Sequence, residues 1–361
     1  MMGTDMDVAV LGGGLAGALV ALALRARRPE LRLCVVEKGP VFGGNHLWSF
    51  FPSDIAPEHG WLIDPLVVAQ WGAYEVAFPA RGRQLGSGYR SIESARLDAV
   101  LRERLPPEAL LCGADVVQVR PDGFTLADGR SFRAGAVIDA RGLAAFPHLQ
   151  GGWQTFLGQS LRLERAHGQA RPMVMDMRVE QFDALRFMYA LPFAEDEIFL
   201  EDTYYTTDPA IDRALLGGRI AAYARARGWQ AGEVLREETG CLPVVAGGDF
   251  AAFWAAGEAG VARIGVRAGL FHPLTGYSLP VAVETALMIA ALPDLSANAL
   301  HAACTQRAHA HWRAGAYYRM LARMLFAAPA PQQRWRVFAH FYRLDEALIE
   351  RFYGGRMRWR D

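Results

Sequence analysis

The sequence predicts an α/β fold built on a Rossmann-type nucleotide-binding unit, and three stretches carry the prediction. Gly12-Gly13-Gly14-Leu15-Ala16-Gly17 is a G-x-G-x-x-G set between an apolar strand and an apolar helix. Glu37 closes a second strand, twenty residues past the last glycine of that set. A further run, 262–292, repeats the order of strand, glycine-rich loop and long apolar helix.

Met6 to Leu11 reads as a short buried strand and Leu15 to Arg27 as the helix behind it. Pro29 breaks that helix, and LRLCVV (31–36) is the next strand, ending on Glu37. Gly12, Gly14 and Gly17 let the backbone approach a pyrophosphate, and the helix N-terminus adds free N–H groups and partial positive charge. Glu37 can accept hydrogen bonds from an adenosine ribose. A glycine turn made only for packing is the alternative; strand, helix and acid together favour a dinucleotide.

After Glu37 the chain leaves the sheet through KGPVFGGNHLWSF (38–50), where a plain dehydrogenase would begin another βαβ unit. That points to FAD and to the hydroxylase-like flavoprotein class. A helix from Ser94 to Leu105 and strands near 114–119 and 124–126 follow. AGAVIDARG (134–142) is a buried strand ending on Asp139; a second nucleotide contact and a plain β-turn both fit that end. Downstream, a strand ends at Gly265, a loop with Pro273, Thr275 and Gly276 follows, and a helix begins near Tyr277. In this fold class such a loop meets the flavin, and the helix N-terminus favours negative charge on the reduced ring. Hydroxylases usually carry Asp just after the strand's glycine; here it is Val266, which argues against oxygen chemistry.

Residues 151–255 read as a separate unit. LRFMYALPF (185–193) and EIFLEDTYY (197–205) form a hairpin around Ala194-Glu195-Asp196. Period-two alternation puts Phe199, Glu201, Thr203 and Tyr205 on one face, with Asp202 on the other. Either Glu201 is a surface charge that ends a strand, or it is a buried acid with a task. A helix (211–227) and the segment REETGCLPVV (236–245) lead back to the nucleotide part. Residues 296–361 read as helices that mix arginine with methionine and aromatics. A terminal helical unit and a basic, aromatic surface lying on anionic lipid both suit that tail. The predicted division is 1–70, 96–150 and 256–295 for the FAD-binding domain, 71–95 and 151–255 for an inserted β-sheet substrate domain, and 296–361 for a C-terminal helical subdomain.

Bulk properties exclude several function classes. Formal net charge is zero, so no global field recruits nucleic acid, yet His301 to Asp361 holds eleven arginines against four acids. The four cysteines are scattered without a CxxC, so neither a disulfide framework nor a metal site is expected. The start MMGTDMD lacks the basic region of a leader. The run 8–24 carries no charge, but its four glycines suit a strand, turn and helix rather than a membrane span.

Taken together, GGGLAG with Glu37, GGNHLWSF, FLEDT, RAGLFHPLTGYSLP and RMLARMLF…RWRVFAHFYRL resemble the bacterial lycopene β-cyclases over essentially the whole chain. The resemblance implies FAD in its reduced form with NAD(P)H as reductant, and ring closure on lycopene without net redox change. It implies that Glu201 and Asp202 of FLEDT hold the catalytic acid position. It also implies a cytoplasmic protein peripherally associated with the inner membrane, where the substrate resides. Family members are expected to run somewhat further beyond RFYGG. The chemistry needs an acid kept protonated in an apolar pocket, no nucleophile, and an aromatic wall, for which Trp48, Phe50, Phe51, Trp61 and Trp71 are candidates. Alternatives on the same fold are a flavin-dependent monooxygenase or halogenase and a prenyl-chain reductase; a flavin-bearing carotenoid carrier is a non-enzymatic one.

Overall fold

The computed structural model describes residues 6–143, 145–182, 184–327, 330–358 and 361. Residues 1–5, part of the stretch read for a leader, lie outside them.

Met6–Leu11 runs parallel between Leu33–Val36 and Ser131–Asp139, at the centre of the first sheet. Leu110–Leu111 extends that sheet on one side, and the antiparallel strands Val116–Arg120 and Gly123–Leu126 extend it on the other. Ala262–Arg263 adds in parallel to the end of Ser131–Asp139. The strands are buried on both faces, as parallel strands under helices must be. The helices Leu15–Arg27 and Leu279–Ala291 pack on each other and share one apolar core with this sheet. The second helix begins at Leu279, two residues later than the sequence suggested. The carbonyl of Tyr277 is already taken by the N–H of His272 at 2.7 Å, which closes the loop, and Pro280 sits in the first turn.

The second sheet has seven strands in the order Ala231–Gly248, Leu149–Leu163, Glu197–Thr206, Leu185–Ala194, Met173–Asp176, Tyr74–Phe78 and Arg81–Leu85. It is antiparallel apart from the pairing of Met173–Asp176 with Tyr74–Phe78. The expected hairpin is present, with Glu195 and Asp196 in its turn. Two strands are much longer than alternation indicated: Leu149–Leu163 has 15 residues and Ala231–Gly248 has 18. Three register shifts keep them paired, and these irregularities mask the period in the sequence. One face of this sheet is covered by the Arg213–Ala226 helix. The other faces aromatic residues from the C-terminal helices.

A small sheet of Leu47–Phe50, Tyr89–Glu93 and Val67–Trp71 joins the two large ones. The tail forms helices Ala297–Ala314, Ala316–Ala327, Trp335–Phe341 and Glu346–Tyr353. The first packs on the nucleotide unit through Leu300 and Cys304, and the other three close over the second sheet. Among the described residues no helix is long and apolar enough to cross a membrane.

Candidate active site

At the nucleotide end, Gly12 has φ +99° and sits where a Cβ would come within 2.8 Å of the Ala140 and Arg141 backbone. Gly17 packs against the Gly12 carbonyl, so no side chain fits there either. Gly14 caps the Leu15–Arg27 helix without a side-chain bond, and a Cβ there would meet nothing within 4 Å. The first turn therefore presents N–H groups to open space, as a pyrophosphate requires. Glu37 accepts N–H bonds from Gly13 (2.8 Å) and Gly39 (2.7 Å), which fixes its carboxylate and leaves a lone pair on each oxygen for a ribose. These residues fit the phosphates and ribose of a dinucleotide such as FAD.

Of the two readings open for Asp139, a nucleotide contact and a plain turn, its surroundings favour the structural one. It is fully buried, and its oxygens take the Arg141 Nε and Nη2 at 2.9 and 2.8 Å, with Arg267 Nε at 3.2 Å. A carboxylate buried this far needs cations, so its side chain serves the scaffold rather than a nucleotide. The chain just after it, at Gly142 and Leu143, reaches the cavity described next.

That cavity measures about 850 Å³, within the usual range for ligand sites. It lies between the loop Leu274–Leu279, the strand Leu47–Phe50, the second sheet and the last three helices. Thr275, Gly276, Tyr277 and Val266 line its nucleotide side. Gly265, at φ +60°, lies against Ala16 of the first helix and lines no part of the cavity. Pro273 also falls short of it: its carbonyl accepts from the Val245 N–H at 2.8 Å, pinning the loop to the sheet. Of the expected aromatic wall, Trp48 and Phe51 line the cavity. Phe50 is in the nucleotide-side core, Trp71 packs on Phe193, and Trp61 is 41% exposed under Arg27. The wall comes instead from the sheet and the tail, with Phe187, Tyr189, Phe199, Tyr205, Phe341 and Phe352 among its members. Phe187, Tyr189, Phe199 and Tyr205 come from the one hairpin, but Phe341 and Phe352 join them from the distant tail, and no local pattern brings the two groups together.

Glu201 projects into this cavity beside Phe199 and Tyr205, as alternation required. Among the described residues its one side-chain bond comes from the Thr203 hydroxyl to Oε1, at 2.5 Å. The surface it exposes faces the apolar cavity, not bulk water. Burial pushes its carboxyl up to about 8, helped by the nearby charge of Glu238 and opposed by the Thr203 bond. At neutral pH it therefore carries a proton. Asp202 departs from the role the resemblance implied and follows the alternation instead: it points to the opposite face, fully buried, and takes Arg186 Nε and Nη2 at 2.6 and 3.0 Å. Burial pushes its carboxyl up and the guanidinium pulls it back. It has no access to the cavity, because successive strand residues face opposite ways.

Several site residues were not singled out in the sequence. Glu238 lines the cavity at 3% exposure, and its Oε2 accepts from the Leu47 N–H at 3.0 Å. The Tyr89 and Tyr189 hydroxyls are bonded to each other at 2.8 Å. Tyr277 donates to Asp54 at 2.7 Å; burial pushes that carboxyl up to about 6, with the Tyr277 bond and Arg356 opposing. His272 bonds the Phe352 carbonyl through Nε2 (3.1 Å) and accepts from the Leu274 N–H at Nδ1 (3.3 Å). Burial drives its pKa down to about 3, so it stays neutral and ties the loop to the last helix. Cys241 lines the cavity as well, but burial raises its thiol, which suppresses the nucleophilic thiolate.

A family model described as "Lycopene cyclase protein" matches residues 7–361. The chain belongs to that family. It is 46% identical over 352 residues to the lycopene beta-cyclase of Pseudescherichia vulneris, covering 97% of this chain and 90% of that one. It is 42% identical to the lycopene beta-cyclase of Pantoea ananas, covering 98% and 92%. Klebsiella pneumoniae HpxO, solved with FAD and uric acid, superposes with a TM-score of 0.67 at 16% identity, over 97% of this chain and 96% of that one. The last likeness concerns the fold alone: the flavoprotein architecture expected from the sequence is the one observed in this lycopene cyclase family chain.

Proposed function

We propose that the chain closes β-ionone rings on the acyclic ends of lycopene, by adding one proton and removing another without net redox change. The observation that carries this is Glu201: an acid with no cationic partner among the described residues, kept protonated in an apolar cavity large enough for a carotenoid end. Glu201 gives its proton to C2 of the terminal double bond, leaving a tertiary cation at C1. The C5=C6 bond attacks C1, the cation moves to C5, and loss of the C6 proton leaves the ring. The facing rings of Phe199, Tyr189 and Tyr205 stabilise positive charge through their π faces and exclude water that would trap it. Reduced FAD, with NAD(P)H as its reductant, would supply diffuse negative charge that stabilises such a cation. Gly12, Gly14, Gly17 and Glu37 would hold its nucleotide, and Thr275, Gly276 and Tyr277 would border its ring.

In this reading residues 296–361 meet the membrane surface. Met324, Val337 and Leu344 are exposed and also line the cavity, which gives a lipid-borne chain an apolar way in. Arg323, Arg336 and Arg343 are exposed in the same helices and loop, suited to anionic headgroups. Arg334 and Arg356 serve differently: one is buried and bonds the Phe326 carbonyl, the other bonds the Ser53 carbonyl.

The test is reductant stoichiometry. Protein chemically reduced without oxygen and given lycopene in liposomes should form many rings per reducing equivalent. Product capped at one ring per equivalent would indicate a prenyl-chain reductase, and substrate-stimulated oxygen uptake in air would indicate a monooxygenase.

A further inference from the structure

Glu201 and Glu238 stand in one row of the second sheet. Both register against Gly158, one from Glu197–Thr206 and the other from Ala231–Gly248. Directly paired residues project to the same face, so both carboxyls rise from the same side, about 9–10 Å apart at their Cα atoms. The position between them has no side chain. A Cβ on Gly158 would lie 2.2 Å from the Phe199 ring, which fills that gap as an apolar floor. Glu238 is as buried as a core residue, yet among the described residues no arginine or lysine is bonded to it. Its partners are the Leu47 amide and His46 Nδ1 at 3.1 Å, and the His46 side chain is 46% exposed. A cavity carboxylate is thus connected through one imidazole to the outside. Among the described lining residues the third carboxylate, Asp361, is paired with Arg351.

We propose that Glu238 is the base that takes the C6 proton and passes it out through His46. The inference rests on the cyclase reading above. Glu201 loses a proton to C2, and a C1–C6 bond forms with the electrons of C5=C6. Glu238 then takes the C6 proton, and the electrons of that C–H bond become the new C5=C6 bond. The hydrocarbon keeps its composition, and one proton has moved from Glu201 to Glu238. Release through His46 and uptake of one solvent proton by Glu201 reset the pair. While the cation exists, two carboxylates flank it, which stabilises the charge.

The test is ring formation from lycopene in liposomes by the reduced holoenzyme in D2O. The parent protein should place one deuterium at C2 of each β ring; no deuterium at C2 would sink the cyclase reading itself. Glu238→Gln keeps an acceptor for Leu47 but cannot take a proton. It should lose β-ring formation by at least about a hundredfold. Recovered lycopene should still gain deuterium at C2, or rings should close by loss of the C4 proton. Glu201→Gln should show no deuterium uptake. β-Ring formation by Glu238→Gln at the parent rate would overturn the proposal. So would a flavin-loaded Glu238→Gln protein with neither rings nor deuterium uptake, because Glu238 would then act before protonation. Should the Gln variant fold poorly, Glu238→Asp decides: the retracted carboxylate should lower the share of C6 over C4 proton loss, and an unchanged rate and ratio would reject the role.

Discussion

The two faces of the second sheet both bury carboxyl groups, and they treat them oppositely. On the face under the Arg213–Ala226 helix, Asp202 is held by Arg186. On that same face Asp176 takes Arg178, Arg227 and the Tyr223 hydroxyl at 2.7–2.8 Å. Burial pushes Asp176 up, but these donors outweigh it and hold the carboxyl low. On the cavity face, Glu201 has a hydroxyl and Glu238 an amide and an imidazole. A charge matched by arginines is architecture. A carboxyl left without a cation in an apolar cavity must keep its proton or wait to gain one, and that is the property a proton-transfer site needs. Adjacent residues of one strand, Glu201 and Asp202, fall on opposite sides of this division.

The largest expected effect lies on the back face. Asp202→Asn leaves the buried Arg186 guanidinium uncompensated and should destabilise the fold by about 3–5 kcal/mol in denaturant unfolding. Replacing both partners with apolar residues, Arg186→Met with Asp202→Leu, should recover most of that loss. A double variant as unstable as the single one would contradict a purely structural pair.

Glu201→Gln should do the reverse. Cyclisation should fall at least about a hundredfold, equivalent to ~2.7 kcal/mol of barrier, while flavin content and melting temperature hold. A drop in flavin content matching the drop in rate would assign Glu201 to cofactor binding instead.

The two faces should also separate by pH. The rate should fall about tenfold per unit above pH about 8, as Glu201 loses its proton. The sign for stability follows from the raised value: Glu201 stabilises the fold fully below its ordinary 4.5, and that contribution is lost as pH rises through about 8. Glu201→Gln should therefore show a flatter stability profile between those limits than the parent protein. Parallel profiles would place the titration elsewhere.

The smallest effect is at the cavity mouth. Glutamate at Arg323, Arg336 or Arg343 should weaken binding to anionic liposomes by about fivefold per site, and added salt should mimic it. Flotation of vesicles with and without anionic lipid measures this.

The nucleotide end was legible because its motif is local. Gly12, Gly17 and Glu37 share one βαβ unit, where spacing along the chain fixes spacing in space, although the backbone that crowds Gly12 comes from Ala140 and Arg141. Glu201 and its aromatic neighbours were legible because the hairpin is regularly paired from Leu185 to Pro192, and alternation there fixes the face. Glu238 escaped because the register shifts in Ala231–Gly248 break the period, and its partner row is set by a strand some eighty residues away. Trp61 and Trp71 misled because aromatic type says nothing about which side of a small sheet or helix a ring takes. The tail's closure over the cavity depends on His272 bonding the Phe352 carbonyl and on Asp54 pairing with Tyr277 and Arg356, contacts that join three distant segments.

The most direct measurement is the protonation state of Glu201 itself. Infrared difference spectra of the flavin-loaded protein at neutral pH, parent minus Glu201→Gln, should show the C=O stretch of one protonated carboxyl, and that band should vanish as pH rises through about 8. A difference spectrum showing only the bands of an ionised carboxylate at neutral pH would contradict the account, because Glu201 would then have no proton to give.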